Sequence, residues 1–405
     1  MHIVFVHQNF PAQFGPFALR LARTPGYQCT FVSQKAEGAV GGVRCVKYAT
    51  RGGATERTHY CSRTFENAVW HAAGVHDALA ATPDVRPDLV VGHSGFGSTL
   101  FLRDLYPGVP VVNLFEYFYR AAGSDLDFRP DFPPRPADRL RARARNAMIF
   151  LDLDNCDLGY CPTRWQLDQF PAEYRGKLRV CFDGVDTGVW KPDPAAPRRV
   201  AGREVPAGTR IVTYVSRGLE SMRGFDVFMR AAKKVADRRP AVLFVVVGQD
   251  RVCYGGDDRF TGGKTFKEWV LARDDYDLSR FVFTGLLPPA ELARLLAATD
   301  LHVYLTVPFV LSWSLLDALA CGAVVLASDT APVREVITPG ETGLLAPFFD
   351  ADALAEAADR VLADPAAFAH LGRAGAELVR SRYSLDVCLG QFVQLCADAC
   401  GRVLR

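Results

Sequence analysis

Residues 301–345, LHVYLTVPFVLSWSLLDALACGAVVLASDTAPVREVITPGETGLL, leave little choice of fold. Leu301 to Leu305 is a short apolar run with β-branched and aromatic members, the pattern of a buried strand. A turn at Pro308 follows. Ser312 and Ser314 then precede a helical run from Leu315 to Cys321; a serine there caps a helix by accepting from an otherwise unpaired backbone N–H. Gly322 stands where a helix needs a C′ glycine, and Ala323 to Ala327 begins the next strand at once. A strand–loop–helix–strand unit of this kind puts a helix N-terminus at the carboxyl end of a sheet. Open α/β sheets bind ligands there, and free N–H groups with the helix dipole favour an anion. Asp317, one turn into the helix, is placed to reach a sugar hydroxyl.

A chain of 405 residues is long enough for two domains of ordinary size. Its 49% apolar and 23% charged content is that of a globular protein, and a net charge of +2 gives no bulk field for nucleic acid. No segment has the roughly 18 consecutive apolar residues of a membrane helix. The start, MHIVFVHQNF, reads as a strand entering a turn and not as a signal peptide. The eleven cysteines show no Cys-x-x-Cys pair, so reduced core thiols are expected and no metal site. These features suggest a cytoplasmic protein.

The first half alternates strands and helices. Ile3 to Val6 leads into His7-Gln8-Asn9-Phe10-Pro11, and a helix follows over Phe14 to Arg23, with Gly15 near its start. Further strands are expected at Cys29 to Ser33, Val43 to Tyr48 and Leu89 to Gly92, with a long helix over Cys61 to Ala81. His93-Ser94-Gly95-Phe96-Gly97 follows a strand and is expected to open a helix, so His93 sits at a carboxyl edge, where it either meets a ligand or serves the core. Val109 to Phe115 is the next strand, with Glu116 at its end among Tyr117, Phe118 and Tyr119. That carboxylate is suited to orient a hydroxyl or accept a proton, or else to pair with Arg120. Residues 121–138 hold four prolines and form a long irregular loop, which suggests a lid or an acceptor site. Arg139, Arg141, Arg143 and Arg145 alternate and so spread around a helix, which favours solvation over a basic face.

Residues 190–209 carry four prolines and four lysine or arginine residues, the composition of a linker. Ile211 to Val215 starts a second sheet, followed by Arg217 and by Arg223-Gly224. Two cations at one sheet edge suit an anionic ligand, and arginine forks two phosphate oxygens. The alternative for Arg223 is a cap or pair on the next helix. Ala241 to Val247 and Phe281 to Phe283 are further strands, the latter followed by Thr284-Gly285. After Asp352 the chain is helical to its end.

These marks in order resemble the retaining glycosyltransferases of family four. The resemblance rests on His7-Gln8-Asn9-Phe10-Pro11, Phe132-Pro133-Pro134, Arg143-Ala144-Arg145-Asn146, Pro162-Thr163-Arg164-Trp165-Gln166, Asp183-Gly184-Val185-Asp186, Arg217 with Arg223-Gly224, and Gly340-Glu341-Thr342-Gly343. It covers nearly the whole chain. It implies the GT-B fold, an α/β architecture of two Rossmann-like doubly wound domains facing across a cleft. The domains would be 1–190 and 210–384, joined by a linker at 191–209, with a last helix, 385–405, crossing back to the first. It implies transfer of a sugar, a hexose by family habit, from a UDP- or GDP-linked donor to a hydroxyl on a glycan, lipid or specialised metabolite. Configuration would be retained, with neither metal nor cofactor. Arg217 and Arg223 would hold the diphosphate, and Glu116, where the family often has a histidine, would serve the reacting sugar. Gly15, Gly285 and the stretch Leu311, Ser312, Trp313 and Ser314 would hold the donor, and Asp317 its ribose. The family usually carries two glutamates eight positions apart around a glycine-rich loop. Here the first is Phe309, the second is Asp317, and the glycines are Val310 and Ser312. That departure keeps open a catalytically silent sugar-nucleotide-binding partner, beside a GT-B epimerase or phosphorylase.

Overall fold

The computed structural model describes residues 1–95 and 98–403. They form two compact units. The first holds residues 1–127, 133–184 and the stretch from Leu385 onward; the second holds Phe128–Phe132 and Val185–Ser384.

The first unit is an eight-stranded sheet built from β1 (His2–Val6), β2 (Gln28–Ser33), β3 (Gly38–Val40), β4 (Val43–Lys47), β5 (Leu89–His93), β6 (Val111–Leu114), β7 (Leu158–Cys161) and β8 (Leu178–Val180). Their order is β3-β4-β2-β1-β5-β6-β7-β8. Every pairing is parallel except β3 with β4. Strands β1, β5, β6 and β7 are buried along their whole length, which is why they read as unbroken apolar runs rather than alternating ones. The chain winds outward from β1 and returns to lay β5 beside it, so the winding direction reverses between β1 and β5. The C-terminal helix, Leu385–Val403, completes this unit. Its Phe392 is fully buried against Phe5, Phe17 and Tyr160.

The second unit begins with a short hairpin, β9 (Arg199–Val200) and β10 (Arg203–Glu204), and continues as β11 (Arg210–Gly218), β12 (Val242–Gln249), β13 (Phe281–Gly285), β14 (Leu301–Tyr304), β15 (Val325–Ser328) and β16 (Leu344–Ala346). The six-stranded sheet is parallel throughout, in the order β13-β12-β11-β14-β15-β16. Its winding reverses between β11 and β14. The helix Trp313–Ala320 joins β14 to β15. Ser312 is its N-cap, and Gly322 just beyond it has φ +78°.

Three features depart from the sequence expectations. Residues 191–209 are more than a linker, because the second unit already begins at Val185 and Val200 of the hairpin packs on Ile211, Val245, Val247 and Leu295. Three of the four alternating arginines are tied down: Arg139 to Ala121 O and Asp127, Arg141 to Tyr60 and Thr64, Arg145 to Tyr119. Arg143 alone of the four is exposed. The stretch after His93 is a turn, and the next helix is Leu102–Leu105, so it does not open a helix at once. Phe96 and Gly97 of that motif lie outside the described residues.

Candidate functional site

In parallel α/β sheets the reversal point leaves a crevice at the carboxyl ends of the strands. Each unit has one, and the chemistry-bearing residues collect at both.

In the first unit, β1 delivers His7, β5 ends in His93, and Glu116 follows β6. His93 Nε2 lies 3.5 Å from Glu116 Oε2. Gln13 Nε2 donates to Glu116 Oε1 at 3.0 Å. His7 stands edge-on to His93, with ring centroids 5.3 Å apart, and its Nδ1 accepts from Asn9 N–H at 2.9 Å. Burial and the nearby charge of His93 push His7 down to about 3, so it is neutral. Burial alone would lower His93, but its bond to Glu116 and that carboxylate's charge leave it raised. For Glu116 the balance is mirrored: burial would raise it, but the bond and charge of His93 leave it lowered. Each thus favours the other's charged form, and His93 and Glu116, both expected at a site, lie in one contact. His7 and Gln13 were not singled out from sequence as site residues. The only signal was that both fall in or just after the HQNFP mark.

The other sequence marks of this half hold Glu116 in place. Thr163 caps the helix Arg164–Asp168 by accepting from Gln166 N–H, and Gln166 Nε2 donates to Glu116 O at 2.6 Å. Asn146 grips Tyr119 from both sides, accepting from its N–H at 2.9 Å and donating to its carbonyl at 2.7 Å. Arg145 lies over the Tyr119 ring at 3.7 Å. Gly15 has a local duty: its N–H donates to Pro11 O at 2.6 Å, and a Cβ there would meet Pro11 Cβ at 2.2 Å. Its amide is thus engaged in the turn.

In the second unit, Arg217 and Arg223 both come from the carboxyl end of β11 but differ in setting. Arg217 is exposed on the last residues of the strand. Arg223 is 3% exposed. Its Nη1 donates to Thr306 Oγ1 at 2.7 Å and to Val310 O at 3.2 Å, groups that follow β14. Among the described residues its Nε and Nη2 make no hydrogen bond. The Tyr254 ring lies 5.1 Å from the guanidinium carbon, and Phe309 packs on Tyr254 at 5.6 Å. Phe309 thus backs the ring that faces the Arg223 guanidinium. Gly224 has φ +64° and lies so close to Leu305 that a Cβ would meet the leucine Cβ at 2.9 Å. This lets the helix Phe225–Arg238 start directly after the Arg223 turn.

The loop after β12, to which the sequence assigned no chemistry, is held by Glu220. This side chain is fully buried, and its Oε2 accepts from the N–H groups of Cys253, Tyr254 and Gly255 at 2.8–3.1 Å. Burial raises its pKa above the ordinary glutamate value, against the pull of those bonds. Ser314 Oγ donates to Val215 O of β11 at 3.3 Å, tying the helix start to the sheet. The amides of Ser312 and Ser314 already donate to Tyr304 OH and to Ser312 Oγ. Leu311 is half-buried and Trp313 is 47% exposed. Asp317 is half-buried and has no side-chain partner among the described residues, and desolvation pushes its carboxyl up to about 8. Gly285, φ +70°, ends β13 on the same carboxyl edge, two strands from β11. Among the described residues no group of three or more His, Cys, Asp or Glu side chains is placed to hold a metal ion. No helix among them is long and apolar enough to cross a membrane.

Two α/β units with parallel sheets, each with its polar residues at a reversal point, define the GT-B fold. The chain matches a glycosyltransferase model in each half: the glycosyl transferase family 4 group over residues 25–189 and glycosyl transferases group 1 over residues 200–378. It is 27% identical over 218 residues to a D-inositol 3-phosphate glycosyltransferase of Corynebacterium jeikeium, a match covering 52% of this chain and 50% of that one. The chain spans about half the length of the curated relatives it matches first. Among solved structures it is similar to a sucrose-phosphate synthase from Thermosynechococcus elongatus, with TM-score 0.73 and 21% identity over 98% of each chain. It is also similar to HepE of Anabaena in complex with UDP and glucose, with TM-score 0.68 and 17% identity over 98% of this chain and 100% of that one.

Proposed function

We propose that the protein transfers a sugar from a nucleoside-diphosphate donor to an acceptor hydroxyl with retention of configuration and without a metal. The observation that carries this reading is Arg223. It is a guanidinium buried at the reversal point of the second sheet, fixed through Nη1, with Nε and Nη2 making no hydrogen bond among the described residues. A low-dielectric site strengthens such a charge toward a diphosphate, and a fixed donor needs no reorganisation when charge develops. Arg217 supplies the second cation. The bond from the sugar's anomeric carbon to the diphosphate oxygen breaks through an oxocarbenium-like state. The acceptor oxygen bonds to that carbon, and its proton goes to the departing phosphate oxygen. Glu116, held by His93 and Gln13, orients a sugar hydroxyl. Asp317, without a protein partner among the described residues and raised toward neutrality, meets the ribose. The UDP and glucose in the Anabaena protein support a donor of this class, and either UDP or GDP suits the diphosphate site.

Phe309 supports a second reading. With a ring where family members usually have a carboxylate, the site suits a catalytically silent sugar-nucleotide binder. One assay separates the readings: incubate the protein with a panel of UDP- and GDP-sugars and follow nucleotide release with and without candidate acceptors. Release that depends on acceptor supports transfer. Binding without release supports the silent binder, and an epimerised donor supports an epimerase.

A further inference from the structure

The stretch Phe128–Phe132 interrupts the first unit's chain and belongs to the second unit. Its second residue, Arg129, is only 4% exposed. Nη1 and Nη2 fork the Asp226 carboxylate, both at 2.8 Å, and Nη1 also donates to Ser221 O at 2.7 Å. The guanidinium lies 4.7 Å from the Phe132 ring centre and 5.4 Å from that of Phe348. Phe128 packs on Phe348 and Phe349, and Phe132 on Phe260, Phe266 and Trp269.

What Arg129 grips is the turn that carries Arg223. Ser221, Met222 and Arg223 form a single 3-10 turn, and Asp226 lies in the first turn of the helix that follows. The turn is held from a second direction by Asp257, which accepts from Ser221 N–H at 2.7 Å and from Ser221 Oγ at 2.5 Å. Ser221 is thus fixed at its carbonyl by Arg129 and at its amide and hydroxyl by Asp257. Two residues later Arg223 reaches Thr306 and Val310. A buried ion pair gains little net stability over apolar packing, but a bidentate fork fixes geometry.

We propose that Arg129 is a positioning residue for Arg223: by clamping Ser221 O and Asp226 it sets the turn from which Arg223 meets the donor's diphosphate. The inference rests on the diphosphate reading of the Arg223 site. Lysine at 129 keeps the charge but cannot fork a carboxylate while also reaching a carbonyl in the same plane.

The test is nucleotide binding by calorimetry, with UDP, GDP and the matching monophosphates as probes. It uses the full chain and its Arg129→Lys, Arg129→Met, Arg223→Ala and Arg129→Lys/Arg223→Ala variants, each checked by thermal melting. Arg129→Lys is expected to weaken diphosphate binding by at least about tenfold, the scale of a small misplacement of a binding group. Monophosphate binding should change much less. In the double variant the loss should stay close to that of Arg223→Ala alone, because coupled residues do not add. Wild-type protein that binds neither UDP nor GDP overturns the diphosphate reading and this inference with it. Wild-type binding with unchanged diphosphate affinity in folded Arg129→Lys overturns this inference alone, as does full additivity in the double variant. If Arg129→Met fails to fold, Asp226→Asn, which leaves only one accepting oxygen and so breaks the fork, takes its place with the same expected losses, and Arg230→Ala controls for the other arginine on that carboxylate.

Discussion

At the residue scale, the site depends on charges whose partners are fixed. Arg217→Ala is expected to lower turnover at least ~100-fold, the loss typical of removing one transition-state donor; steady-state release of nucleotide measures it, and unchanged turnover would refute the role. The His93–Glu116 pair makes a separate prediction about pH. Glu116 is lowered from 4.5 on folding, so its stabilising share is complete above that value and is lost as pH falls through the folded pKa. His93 is raised from 6.5, so its share is complete below 6.5 and is lost as pH rises through the folded pKa. The difference in Tm between wild type and His93→Gln should therefore be largest between about pH 4.5 and 6.5 and shrink on either side. Because the charge of His93 helps hold His7 down, the comparison is made in a His7→Gln background, where His7 cannot titrate. A difference flat across pH 4–8 would mean that no ion pair forms.

At the scale of elements, the helix Trp313–Ala320 was readable because its ends are written locally, in Ser312 and Gly322, and because apolar strands flank it. Its carboxylate has a cost. Asp317 is raised from 3.8 to about 8, so the native state binds more protons than the unfolded chain between those values. Stability should fall as pH rises through that window. Asp317→Asn should remove this fall, which thermal melts from pH 4 to 8 would show. The PTRWQ mark was readable as a helix start through Thr163; that its Gln166 holds the Glu116 carbonyl was not, since 50 positions separate them. Thr163→Ala should cost about 1 kcal/mol through the lost cap and loosen Glu116, lowering turnover more than that loss of stability would suggest. Chemical denaturation alongside turnover would check both. The contact of His93 with Glu116 follows from β5 and β6 being neighbours. Strand order is a property of the sheet, which no single stretch of sequence displays.

At the scale of the whole molecule, two parallel sheets were legible from alternating strand and helix patterns, and the marks along the chain pointed to GT-B. The embedding of Phe128–Phe132 in the second unit was not. That stretch has no periodicity, and Arg129 and Asp226 are 97 positions apart. The prolines that marked 121–138 as irregular said nothing of where its centre would be buried. Departures from the family pattern, Phe309 above all, were visible as residues, but their setting came only with packing, which sets Phe309 against Tyr254, the ring that faces Arg223. Where a donor's phosphates come to rest decides the role of both arginines, and a crystal structure of the protein soaked with UDP or GDP measures that directly. It should place the diphosphate oxygens within hydrogen-bond distance of Arg217 and of Arg223 Nε or Nη2. Phosphates bound away from both arginines would contradict that role.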